Sequence, residues 1–137
     1  MTALSPRRGL AAVAFAALLA GCGASDANPD DGAFLDAYHA HRSQEVTVTA
    51  TVVTLLPDSR GGADGPHERF DVDVAGVVVE IDHNLDLAPR VPVQIGSTLT
   101  IHGEFEPDPG HPVIHYTHHA TGRHEGGWID LAGQRYE

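Results

Sequence analysis

Four of the ten histidines in this 137-residue chain fall between Val113 and His124, in the stretch VIHYTHHATGRH. A neutral imidazole is a good metal ligand and carries protons near neutral pH, so His115, His118, His119 and His124 are candidate ligands for a divalent metal such as zinc. Their spacing matches no standard zinc signature. On a strand, His115, Thr117 and His119 project to one face and Ile114, Tyr116 and His118 to the other, so His115 and His118 can share an ion only across a bulge or turn. If the chain leaves the strand at Thr117, then His118, His119 and His124 converge from a loop. The plainer reading is a hydrogen-bonding wall, with Ile114 and Tyr116 filling the core.

Two other stretches could carry chemistry. In Ile81-Asp-His-Asn-Leu-Asp-Leu-Ala-Pro-Arg90, the parity of Val77, Val79 and Ile81 brings His83 to the inner side at a strand end, where small barrels hold ligands at the mouth. Asp82, Asp86 and Arg90 surround it in sequence, and a carboxylate on Nδ1 would leave Nε2 as a base or ligand. The competing reading is a capped loop in which Asn84 and Asp86 satisfy backbone amides and Arg90 pairs with an acid. In Pro66-His-Glu-Arg-Phe70, His67 and Arg69 share a face. Arg69, Arg90 and Arg123 could fork around an anion, although on an acidic chain they serve more often as salt-bridge partners. The chain has no G-x-S-x-G, C-x-x-C, phosphate-binding loop or H-E-x-x-H, so nucleophilic catalysis has no candidate.

The elements that must position these groups are readable from periodicity. Phe34, Leu35, Tyr38 and His41 lie at helical spacing behind an acidic start at Asp31, which predicts one short helix. The period then changes to two. Val46 to Val52, Phe70 to Val74, Val77 to Ile81 and Leu99 to Ile101 alternate with polar residues as half-buried strands. Ala75-Gly76 reads as a two-residue hairpin, Ile95-Gly96-Ser97 and Glu106 to Gly110 as further turns, and Val113 to His118 as a fifth strand. Together they predict a mainly β fold, a small five-stranded antiparallel OB-like barrel with one short N-terminal helix. A β-sandwich is the alternative, though it usually wants more strands.

The N-terminus sets location. Arg7-Arg8, the apolar run from Gly9 to Ala20 and the small residues before Cys22 have the layout of an export signal, and Leu19-Ala-Gly-Cys22 resembles the lipobox of bacterial lipoproteins. Lipidated Cys22 would anchor an exported chain in the cell envelope, facing periplasm or surface. The expected organisation is a signal peptide at 1–21, a polar tether at 22–31 and one domain at 32–137. Beyond the signal, six arginines and no lysine stand against 19 acids, a formal charge of −13, which argues against nucleic acid as a partner.

Several ordered motifs resemble one bacterial family: Pro66-His-Glu-Arg-Phe70 for H-x-R-F, His83-Asn-Leu-Asp-Leu-Ala-Pro-Arg90 for H-N-I-D-L-A-P-R, Gly103-Glu-Phe105 for a G-E-Y turn, His115-Tyr-Thr-His118 for H-W-T-H, and Gly127-Trp-Ile129 for a closing G-W-I. The family is domain of unknown function 3465. Tyr116 stands where its motif has tryptophan and Leu85 where it has isoleucine. The resemblance implies small exported or lipid-anchored proteins with a barrel and no assigned activity. The expected function is a small binding module whose site, at the barrel mouth, comprises His67, Arg69, His83, Asp86, Arg90, His115 and His118, with an envelope protein or small molecule as partner. A metal-dependent hydrolase using Asp82, Asp86 or Glu104 as base is one alternative. The other is a pH-responsive envelope protein, in which protonating ten histidines moves the charge from −13 to −3.

Overall fold

Asp30 begins the folded unit. Its carboxylate accepts a hydrogen bond from the Ala33 amide at 2.9 Å, capping α1 (Asp31–His39), and its own amide donates to the Thr47 carbonyl at 2.8 Å. One turn in, Phe34 is fully buried and sets its ring edge-on to Phe105, 5.1 Å between centroids, so the helix plugs the core from one side. The computed structural model describes residues 27–137. The expected signal peptide, Cys22 and the start of the tether lie outside the described residues.

Seven strands follow: β1 (Gln44–Ser59), β2 (His67–Val74), β3 (Val77–Asn84), β4 (Thr98–Glu106), β5 (Val113–His115), β6 (Trp128–Leu131) and β7 (Gln134–Tyr136). The alternation in the sequence is the alternation of burial. Val46, Val48, Phe70, Val72, Val79, Ile81, Leu99 and Ile101 all point into one core, and their intervening neighbours mostly point out. Burying such side chains contributes about 1.5–3 kcal/mol each before chain entropy is counted. Ala75-Gly76 forms the expected two-residue turn with φ of 50° and 90°, and Ala132-Gly133 repeats it between β6 and β7.

The sheet order is β1-β2-β3-β5-β4-β6-β7, and β1 also pairs with β4, so β1, β2, β3, β5 and β4 form a closed ring. β1 can close it because it is long: residues from Gln44 to Thr51 pair with β4 and those from Thr51 to Ser59 with β2, with register shifts at Val52/Thr54 and Leu56/Ser59. Two expectations are corrected. The sheet has seven strands, not five, and it is mixed: β3 and β5 run parallel, with Glu80 opposite Val113 and Ile81 opposite Ile114. A ring with an odd number of strands cannot alternate direction all the way round, so one neighbouring pair has to be parallel. Gly103-Glu-Phe105, expected as a turn, lies inside β4.

Candidate functional site

β5 ends at His115 because Tyr116 takes φ of 55°, a left-handed conformation that costs a bulky residue about 1–3 kcal/mol. From there residues 116–127 run back across β4 to reach β6. Two glycines make that path possible. A Cβ on Gly127 would meet the His102 carbonyl oxygen at 2.5 Å and the Tyr116 carbonyl closer still, and one on Gly103 would meet the His115 carbonyl at 2.5 Å. The Gly127 amide donates to the His118 carbonyl at 2.8 Å and pins the crossing.

This path gathers the rings. His115 stacks on Tyr116 at 4.0 Å, Tyr116 on His124 at 4.2 Å, and His118 stands edge-on to His124 at 4.8 Å. Tyr116, expected in the core, is instead half-buried and lines an open cleft of about 730 Å³. The cleft floor is completed by His67 of β2, Asp82 and Asn84 of β3, and Glu104 and Glu106 of β4, with Asp64, Asp86, Thr121 and Arg123 at its rim. The strand residues alternate with buried neighbours such as Ile81, His83 and Phe105, so the cleft lies on the outer face of the ring rather than at its mouth.

The expected site is therefore split. His67, Asp86, His115 and His118 come together in the cleft, and His124, one of the four candidate metal ligands, joins them; His119 is exposed and does not line it. His83 does point inward, but inward is core: it is fully buried, its Nε2–H donates to the Pro89 carbonyl at 3.1 Å, and its Nδ1 accepts from the Thr117 hydroxyl at 2.8 Å. No nitrogen is left for a ligand. Arg90 pairs with Asp58 and, at 3.3 Å, with buried Glu68, whose other oxygen accepts from the Val91 amide at 2.9 Å. Arg69 is held by Glu80, which also binds His111 of the 107–112 connection, and lies 3.5 Å from Asp82. These arginines clamp strands and loops and form no anion fork. Asn84 fulfils the capping expectation, accepting from the Asp86 amide at 2.9 Å and donating to the Asp64 carbonyl at 2.7 Å.

Burial sets the proton states. It holds His83 and His118 below the ordinary imidazole value, and the neighbouring imidazoles add to this. His118 is 3% exposed, and its Nδ1–H donates to the His119 carbonyl at 2.9 Å, so in the neutral ring Nε2 keeps its lone pair. Burial, together with the Glu80 charge, raises the Asp82 carboxyl. Burial also pushes Glu80 up, but the hydrogen bonds from Arg69 and His111 outweigh it and hold that carboxyl low. Beside the cleft, burial and the charges of Glu125 and Glu104 push Glu45 from 4.5 to about 7.

Sequence reasoning missed Asp64, Glu106 and Thr121 as cleft residues, while Arg123, weighed there as part of an anion fork, lines the cleft without Arg69 or Arg90. Polar residues on both parities of His115 to His118 were the available signal that the strand ends there. Among the described residues no group of three or more His, Cys, Asp or Glu converges to hold a metal ion, and no helix is long and apolar enough to cross a membrane. A family model described as a protein of unknown function, DUF3465, matches residues 16–137. No curated protein and no solved structure matches the chain.

Proposed function

Since the chain belongs to the DUF3465 family, whose description assigns no activity, its role has to be read from its own cleft, and we propose that it is a small binding module of the cell envelope. In this reading the chain is exported, lipid-anchored through Cys22, and presents its site on the outer face of a five-strand ring that acts as an OB-like barrel. The observation that carries the reading is the cleft, whose volume is of small-ligand size and whose walls combine stacked rings with convergent polar groups. Binding is favoured over catalysis because His83 has both nitrogens committed and no activated nucleophile stands among the described residues. Nothing in the arrangement of the described residues favours the hydrolase alternative.

Thermal unfolding of the purified full chain against a library of small envelope metabolites tests the proposal. A ligand at a hundred times its dissociation constant stabilises the fold by about 2.7 kcal/mol, several degrees for a domain of this size. The expected result is a shift from at least one compound that is lost in Thr121→Trp, an exposed rim position where a bulky ring obstructs the cleft. A library without hits, or hits that ignore Thr121→Trp, overturns the reading.

A second reading, a pH-responsive protein, is favoured by His83, His102 and His118, all held below the ordinary imidazole value by burial first. Acid must charge these rings against that burial, which makes the fold itself the sensor.

A further inference from the structure

The chemistry of the cleft narrows its ligand. His118 is an almost fully buried side chain with one nitrogen spent on a carbonyl and the other, an acceptor with no partner among the described residues, on the cleft wall. That lone pair opens onto the cleft, where it can accept from an N–H donor or face a cation. Five carboxylates line the same cleft, from Asp64, Asp82, Asp86, Glu104 and Glu106, against one arginine, Arg123. Asp82 lies near Arg69 and Glu106 is 3.2 Å from the His115 ring, while Asp64 and Asp86 have no ion pair among the described residues. The field inside the cleft is negative, and it repels anionic ligands.

We infer that the cleft takes a small organic cation bearing N–H donors, a primary amine or a guanidine, held by His118 Nε2 and the carboxylates of Asp64, Asp86 and Glu104. The inference rests on the binding reading above and names its ligand class. A bare metal ion fits less well, because the space is many times an ion's volume and the described acids and histidines do not converge. The stacked His115, Tyr116 and His124 rings supply a flat wall for the hydrocarbon part of such a ligand.

Calorimetric titration of the purified full chain with agmatine, cadaverine, glutarate and 1,5-pentanediol separates the possibilities by charge at similar length. Binding of the two cations, weakening with salt, is expected. Asp86→Asn, an exposed position, should weaken it about threefold or more, and His118→Phe about tenfold or more, while Asp36→Asn on α1 leaves it unchanged. If His118→Phe fails to fold, the Asp86→Asn titration still decides. Glutarate or the diol binding in place of the cations overturns the inference and leaves the binding reading standing. Silence from all four probes also overturns it, and the wider library then tests the binding reading separately.

Discussion

Glu45 offers a pH experiment in which the sign and the size are both fixed in advance. It stands opposite Glu104 across β1 and β4, its side chain is 29% exposed, and its Oε2 lies 3.9 Å from His102 Nε2 with no hydrogen-bond partner. Burial and two like charges move its carboxyl from 4.5 to about 7. Between those values the folded chain holds a proton that the unfolded chain gives up, so stability falls as pH rises from about 4.5 through about 7. The whole shift would correspond to about 3 kcal/mol at about 1.4 kcal/mol per unit, and solvent screening of a partly exposed group reduces it to about 1–2 kcal/mol. Glu45→Gln removes the titration. Urea unfolding of wild type and variant at about pH 5 and about pH 8 isolates the effect, because any constant cost of the amide cancels between the two conditions. The variant should gain about 1–2 kcal/mol on the wild type from the lower to the higher pH. Parallel profiles for the two proteins would refute the reasoning.

The histidines pull the other way. Burial lowers His83 and His118, so the stability they contribute is fully present above the ordinary imidazole value of 6.5 and is lost as pH falls below it; melting temperature should drop between about pH 7 and pH 5.5, and less in His83→Gln. In Glu45→Gln, which lacks the opposing carboxyl titration, an unchanged melting temperature over that range would contradict the burial argument. Gly127→Ala should destabilise by about 3 kcal/mol or more, measured by urea unfolding, since its Cβ meets two backbone carbonyls that cannot swing aside. A cost near that of an ordinary surface substitution would mean that the crossing loop is not held as described.

Period two located the core strands because burial on one face leaves that trace in Val46 to Val52 or Leu99 to Ile101. β6 and β7, four and three residues long, are too short to show any period. The parallel pairing of β3 with β5 rests on Glu80 and Ile81 finding Val113 and Ile114, a long-range match that local alternation does not encode. The site was half legible for a related reason. Parity placed His83 inside correctly, but in a ring this small the inside is filled by side chains, so the useful surface fell to the opposite parity, to Asp82, Glu104 and His115. The left-handed turn at Tyr116, which swings His118 and His124 toward that surface, has no signature in a residue type that rarely adopts it.

The double pairing of β1 also sets an order of assembly. The β2–β3 hairpin is local and its turn is preformed, so it can appear within microseconds. The seam between the first half of β1 and β4 joins segments roughly fifty residues apart, and such closures come late because loop entropy has to be lost first. Glu104 and Glu106 sit on the far side of that seam, and the crossing loop leans on β4. A chain that has not yet closed its ring therefore has no cleft to offer, and the cleft exists only once folding is complete.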